Sequence, residues 1–248
     1  MRMSVFLPVF LWAGVSSAQV NVEEIRKGVE EGQVVSGVIE LGMDARSGNK
    51  EKVAAEGAGL VALTTGRNLA FFSASGEYEF EHGIEEKEYT LHLRDNFRIW
   101  EFVYSDVFGQ YESDEFRKLT SRSLAGAGLR LDYDWTECFS TVYGTSYMPE
   151  HNVVEGRTDP LVFHRWNNFA TVLLKINGTT KIGTTAYYQP SVTDFENYRL
   201  YTTLALKVKI SGSLEAKVVG TYRYESRPPG EDVKSRDFRI KNALEYSF

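Results

Sequence analysis

Residues 237–248 read DFRIKNALEYSF, and their parity decides the fold. Phe238, Ile240, Leu244, Tyr246 and Phe248 hold the even positions, interrupted only by Asn242. Arg239, Lys241, Glu245 and Ser247 hold the odd ones, with Ala243 among them. Period two describes a β-strand with one apolar and one charged face. Such a strand fits two settings. One is the edge of a soluble sandwich. The other is the last strand of an outer-membrane β-barrel, which turns apolar and aromatic side chains to lipid and polar ones to the lumen. The strand alone leaves both open.

The same alternation runs backward from it. Tyr198, Leu200, Thr202, Leu204, Leu206, Val208 and Ile210 alternate with Arg199, Tyr201, Thr203, Ala205, Lys207 and Lys209. Leu214, Ala216, Val218, Gly220, Tyr222 and Tyr224 alternate with Glu215, Lys217, Val219, Thr221, Arg223 and Glu225. In a membrane, a slip of one residue would place these charges in lipid at ~2–4 kcal/mol per basic residue near the midplane, so the register is well specified. Extended to the whole chain, the pattern predicts strands at 33–44, 53–63, 68–80, 87–96, 100–111, 119–133, 138–148, 162–176, 179–190, 198–210, 213–225 and 237–248. That is about twelve, an even number, as single-chain bacterial barrels have. Several approach the ~9–11 residues of a tilted membrane strand. The strand from Trp100 is the least regular, because Asp106 breaks the parity of Trp100, Phe102 and Tyr104.

The connections alternate in length. Asn177-Gly178 and Ser211-Gly212 read as two-residue turns, the former with the Asn-Gly signal of a type I′ hairpin. Residues 64–67 and 134–137 are also short, whereas 112–118, 149–160, 191–197 and 226–235 are longer. Short periplasmic turns and longer extracellular loops give this phase, with both termini in the periplasm. It sets the outward Tyr188, Tyr198, Tyr222, Tyr224 and Phe238 at one height near the outer leaflet, and Tyr246 and Phe248 at the periplasmic interface, as aromatic girdles. A soluble sandwich accounts for none of this agreement. The reading is an all-β, transmembrane, antiparallel up-and-down barrel over 33–248.

Ahead of it, Arg2, an apolar run to Val15 and Ser16-Ser17-Ala18 describe a cleavable secretory signal over 1–18. Residues 19–32 read as a short N-terminal helix, with Asn21 to cap it and Val22, Ile25 and Val29 on one face. It is a periplasmic tether on one view and a plug under the barrel on the other. The chain carries a net charge of −6, which becomes −7 once Arg2 leaves with the signal, and that balance excludes nucleic acid as a partner. The single cysteine, Cys138, permits no internal disulfide. The expected partners are outer-membrane lipid and, through the strand ending at Phe248, the barrel-assembly machinery. The chain is expected to act as a monomer.

No constellation for covalent or metal chemistry stands out. His82, His92, His151 and His164 have no Ser or Cys at a nucleophile–base spacing and no metal-ligand spacing among themselves. They read as loop and lumen polar groups, and no cofactor, metal or enzymatic activity is expected. Gly126-x-Gly128 lacks the helix that a phosphate loop needs and reads as relief of crowding inside a narrow barrel. The informative feature is charge. The inward parity of the first four strands carries Glu40, Asp44, Glu56, Glu77, Glu79 and Glu88; that of the last four carries Lys181, Arg199, Lys207, Lys209, Lys217, Arg223, Arg239 and Lys241, diluted by Glu215, Glu225 and Glu245. Closure sets an acidic wall against a basic one. In a narrow lumen these walls meet as ion pairs and shut the barrel; in a wider one they stay hydrated and select small solutes.

Several short motifs add a resemblance: Ser47-Gly48-Asn49, Asp114-Glu115-Phe116-Arg117-Lys118-Leu119 leading into Arg122, Gly126-Ala127-Gly128, Tyr188-Gln189-Pro190, Asn197-Tyr198-Arg199-Leu200, Ser226-Arg227-Pro228-Pro229 and Leu244-Glu245-Tyr246-Ser247-Phe248. In order and spacing the chain resembles the YdiY-like putative salt-induced outer-membrane protein family of diderm bacteria. The resemblance implies an outer-membrane barrel and supplies no activity. The expected function is a narrow passive channel for small solutes or ions. The alternatives are a closed structural barrel, a binding module using the outer loops, and, more remotely, a lipid-modifying enzyme.

Overall fold

The computed structural model describes residues 34–46, 52–81, 84–228 and 233–248, without the side chains of 44–46 and 52. The predicted leader and helix over 1–32, His82 and the side chain of Asp44 lie outside the described residues. Among those described, twelve antiparallel strands close on themselves: β1 (Val35–Arg46), β2 (Lys52–Thr65), β3 (Asn68–Glu81), β4 (Ile84–Arg98), β5 (Val103–Asp114), β6 (Leu119–Thr136), β7 (Phe139–Val154), β8 (Leu161–Lys175), β9 (Thr180–Pro190), β10 (Tyr198–Lys209), β11 (Leu214–Glu225) and β12 (Arg236–Ser247). Each strand pairs with its sequence neighbours, and β12 returns to β1. This is the up-and-down order that period-two strands joined by hairpins give.

Parity sorts the side chains as read. In β10, Arg199, Tyr201, Thr203, Ala205 and Lys207 are buried in the interior, whereas Leu204, Leu206 and Val208 are exposed on the outer wall. Apolar exposure continues around the outside through Leu41, Val61, Phe72, Leu93, Val107, Leu129 and Ile240. The interior is mostly polar. Two small apolar clusters lie within it, Val38–Leu60–Ala62–Phe71 and Val142–Phe169–Tyr187–Tyr201.

Four expectations change. β5 starts at Val103, so Trp100 and Phe102 sit in the turn before it, and the parity break at Asp106 disappears: Asp106 is an inward residue. β5 also runs on to Asp114 and β7 to Val154, which shortens the expected loops at 112–118 and 149–160. Pro149 is tolerated within β7 because the ladder to β6 is interrupted there, between Leu124↔Glu150 and Ala127↔Tyr147, where its missing N–H is not needed. The Asn177-Gly178 and Ser211-Gly212 connections are four residues long, and neither glycine has positive φ, so neither is a type I′ turn. Instead Asn177 Oδ1 accepts hydrogen bonds from the Thr179 and Thr180 amides at 2.9 and 2.8 Å, a side-chain closure of the turn. The 99–102, 176–179 and 210–213 turns share one backbone pattern: the amides of Ile99, Ile176 and Ile210 each donate to the carbonyl four residues on, at 2.9 Å.

The β2–β3, β4–β5, β6–β7, β8–β9 and β10–β11 turns share one end of the barrel with the start of β1 and the end of β12. The loops occupy the other end. There, between β5 and β6, a single 3-10 turn at Glu115–Arg117 ends on Lys118, whose left-handed backbone (φ 56°) reverses the chain.

Candidate functional site

The site is the barrel interior, built by alternate residues of every strand. Near the end where β1 starts and β12 ends, Lys207 Nζ donates to Glu245 Oε1 and Oε2 at 2.7 and 2.8 Å, and Lys217 Nζ donates to Glu40 Oε2 at 2.8 Å. These bonds join β10 to β12 and β11 to β1, passing over the intervening strand each time. One level further in, Arg239 and Lys241 of β12 reach over β1 to Glu56 and Glu77 on β2 and β3. Arg239 Nη1 lies 2.6 Å from Glu77 Oε2, and Lys241 Nζ contacts Glu56 directly. β1 leaves room for this because its inward residue at that level is Gly42, where a Cβ would stand 2.3 Å from Glu56 Oε1.

Toward the loop end, two carboxylates act as hubs. Glu150 on β7 meets Arg199 of β10, with Arg122 and Arg165 each at 3.5 Å. Glu225 on β11 meets Arg117 at 2.8 Å, Arg223 at 3.1 Å, and Arg122 and Arg199 at 3.9 Å. Asn152 Nδ2 donates to Glu150 Oε1 at 2.7 Å, and Glu112 accepts from Gln110 and Arg122. All these groups are buried. Between the two ends lies an aromatic level. His92 stands 6.0 Å from both Phe71 and Phe108, its Nδ1 is 3.1 Å from Gln110 Oε1, and the Arg94 guanidinium lies 4.9 Å over the Phe108 ring.

Of the residues predicted to line the lumen, Glu40, Glu56, Glu77, Glu88, Arg199, Lys207, Lys217, Arg223, Arg239 and Lys241 point inward and are buried or partly so. Glu79 lies inward toward the loop end. Lys181 and Lys209 fall at the opposite rim and are exposed; Lys181 Nζ pairs with Glu215 Oε1 at 3.0 Å. Separation of charge by sign does not extend round the barrel. Arg94, Arg122, Arg130 and Arg165 on β4, β6 and β8, together with Asp106, Glu112, Asp114 and Glu150 on β5 and β7, mix both signs in the middle strands. Their alternation was present in the sequence. Arg117 gave no such signal, since it stands in a connection.

On the outer wall, Tyr188, Tyr198 and Tyr224 form a ladder of rings 5.8 and 5.7 Å apart, with Tyr222 and Phe238 paired across β11 and β12 beside it. Tyr246 and Phe248 stack 6.4 Å apart at the opposite end. A second group at that end, Phe102, Tyr133, Trp135 and Phe139, was not anticipated. His164 also faces outward rather than into a loop or the lumen, with Nδ1 2.6 Å from Tyr147 Oη, and His151 is exposed.

A family described as "Protein of unknown function, DUF481" matches residues 39–248. The chain belongs to this family. No curated protein matches the DUF481 chain. Among solved structures, it is similar to the KdgM porin in complex with disordered oligogalacturonate, at 12% identity over 86% of this chain and 99% of that one, TM-score 0.49. It is also similar to the NanC porin, at 13% identity over 86% and 97%, TM-score 0.47. A third is the translocator domain of the autotransporter NalP from Neisseria meningitidis, at 12% identity over 91% and 92%, TM-score 0.49. At these identities and scores the likeness does not extend to activity.

Proposed function

We propose that this DUF481 protein is an outer-membrane β-barrel forming a narrow passage for small solutes or ions, held shut at rest by side-chain ion pairs. The exposed belt of Leu93, Val107, Leu129, Leu204 and Ile240 supports insertion, bounded by the Tyr188–Tyr198–Tyr224 ladder on one side and the Tyr133–Trp135–Phe139 group on the other. On this reading the short turns and both termini are periplasmic, lipid surrounds a single chain, and the strand ending at Phe248 serves barrel assembly. The YdiY-like resemblance and its salt induction belong to the same reading.

One observation carries the passage. The interior is filled mostly by charged and polar side chains, with only two small apolar clusters among them. Burying ion pairs is costly, and replacing them by apolar residues of similar volume is often neutral or stabilising, so a purely structural filling has no use for them. A lumen that opens and hydrates does. A second reading, a permanently closed barrel, is favoured by the near-complete burial of Arg94, Arg130, Glu112 and Glu150. Single-channel recording of the refolded protein in a planar bilayer separates the two. Discrete conductance steps support the passage. An unbroken seal from a folded, heat-modifiable barrel overturns it in favour of the closed one.

A further inference from the structure

Four inward carboxylates stand side by side across the first strands. The register opposes Glu56 to Glu77, Glu77 to Glu88 and Glu88 to Asp114, on β2, β3, β4 and β5. Directly opposed cross-strand residues have Cβ atoms ~4.5–5.5 Å apart, and like charges so placed repel. Only half of the row is neutralised. Arg239 and Lys241 both contact Glu56 and Glu77. Glu88 and Asp114 are 6% and 0% exposed, and among the described residues Glu88 Oε2 and both Asp114 carboxylate oxygens reach no donor. Thr90, the next inward residue on β4, supplies none, since its own hydroxyl is buried without a partner. The charges facing Glu88 are Glu77, Glu112, Asp114 and Lys241, and Lys241 is held by Glu56 and Glu77. Those facing Asp114 are Glu112, Arg117, Arg122 and Arg223. These arginines are taken up by Glu225, Glu112 and Glu150. Two adjacent buried carboxylates without a cation in contact do not both stay ionised. On the outer wall the Tyr89 and Tyr111 rings lie 6.0 Å apart, and Glu88 and Asp114 fall on the loop side of that pair.

We infer that Glu88 and Asp114 hold one proton between them in the closed barrel, and that its release to the medium at the loop end opens the passage. The inference deepens the passage reading and rests on it for the opening step. Once both groups are ionised they repel each other, and Asp114 competes with Glu225 for Arg117, which stands in the turn that follows it. Arg117 then no longer ties the β5–β6 turn to β11. The sign follows from linkage. The closed barrel binds the proton and the open one does not, so rising pH favours the open form, by at most about tenfold in the open-to-closed ratio per pH unit for one proton.

Infrared spectroscopy and bilayer recording of the refolded full chain test the two halves separately. At neutral pH the folded wild type should show the carbonyl stretch of a protonated carboxyl, and the double variant Glu88→Gln with Asp114→Asn should lack it while keeping the heat-modifiable gel mobility of the barrel. Glu88→Gln alone, which removes one partner and leaves Asp114 in place, is the second variant should the double one not fold, and it should lose the band as well. In the bilayer, recorded from about pH 4 to about pH 9 to span ordinary and buried carboxylates, wild-type open probability should rise with pH. Glu88→Gln carries a permanently neutral side chain and should stay closed across that range, whereas Glu85→Gln should follow the wild type. No band in the folded wild type, or one that persists in the variants, overturns the proton. A band with no conductance at any pH overturns the passage and leaves the proton. Conductance that is flat or falls with pH, or a rise that survives in Glu88→Gln, overturns the opening step and leaves the passage.

Discussion

Arg117 Nη2 lies 2.8 Å from Glu225 Oε2, and the two side chains come from opposite sides of the barrel: Arg117 from the turn between β5 and β6, Glu225 from the end of β11. Both are buried, so the contact spans the interior at the loop end, where in the proposed passage it would act as a latch. Removing one partner of a buried pair costs ~3–5 kcal/mol. Here Glu225 keeps Arg223 at 3.1 Å, which reduces the expected loss for Arg117→Gln to about 1–3 kcal/mol. Urea unfolding in micelles measures it. In the bilayer the same variant should open more often and stay open longer than the wild type. Unchanged gating in a folded Arg117→Gln barrel would remove the latch from the account.

The seam between β1 and β12 is the weakest line of the sheet. It registers four residue pairs, Val38↔Ser247 to Leu41↔Leu244, against twelve between β1 and β2. Above Leu41 the two strands have no registered pairs, and Arg239 and Lys241 cross to Glu56 and Glu77 instead. Side-chain charge there takes the place of the backbone ladder. The double change Glu56→Gln with Glu77→Gln should lower the temperature at which the barrel loses its compact gel mobility. Glu85→Gln, which among the described residues breaks the exposed pair with Lys87 at 3.4 Å, should change stability by less than ~1 kcal/mol. A disulfide between Leu41→Cys and Leu244→Cys, made with Cys138→Ser, should restore the loss. If it does not, the seam is not the element that melts first.

How much of this the sequence disclosed depends on whether a residue's role is set along its strand or across the barrel. The alternation of 198–210 and 214–225 placed Lys207, Lys217 and Arg223 inside, because a side chain on the wrong face is penalised locally whatever its partner. Their partners were not legible. Lys207 meets Glu245 two strands away and Arg199 meets Glu150 three strands away, contacts fixed by the stagger of twelve paired strands and not by spacing in the chain. Arg117 was hidden for a different reason. Its inward course follows from a 3-10 turn that ends on left-handed Lys118, a residue type that gives no warning of positive φ. Pro149 misled in the opposite direction, since an interrupted ladder lets a strand continue through a residue that ordinarily ends one.

The inward glycines of β6 make an ordering that can be tested. A Cβ on Gly126 would meet the tip of the Phe108 ring at 2.2 Å, and one on Gly128 would meet the Thr145 carbonyl oxygen at 2.0 Å. A ring can swing about χ1, whereas the backbone of β7 is held by its ladders to β6 and β8. Overpacking typically costs ~1–3 kcal/mol, so Gly126→Ala should fall at the lower end and Gly128→Ala at or above the upper. Equilibrium unfolding in micelles ranks them. Equal losses would mean that the two positions relax in the same way and that backbone contact is not the limiting term.

The outer wall separates a membrane barrel from a soluble one. Leu204 lies midway along β10 on the exposed face, and Val208 lies one residue from its end. If lipid surrounds the wall, Leu204→Lys buries an ammonium near the midplane and should cost ~2–4 kcal/mol, while Val208→Lys, near the interface, should cost ~0–1 kcal/mol. If water surrounds it, both changes replace an exposed apolar side chain by a hydrated one, and neither should destabilise by more than ~0.5 kcal/mol. Unfolding titrations of both variants from lipid vesicles decide between these outcomes, because the two settings predict different slopes with depth. A steep difference between Leu204→Lys and Val208→Lys requires a hydrocarbon layer centred on the belt that holds Leu93, Val107 and Leu129. Two flat results would leave that belt without a membrane to explain it.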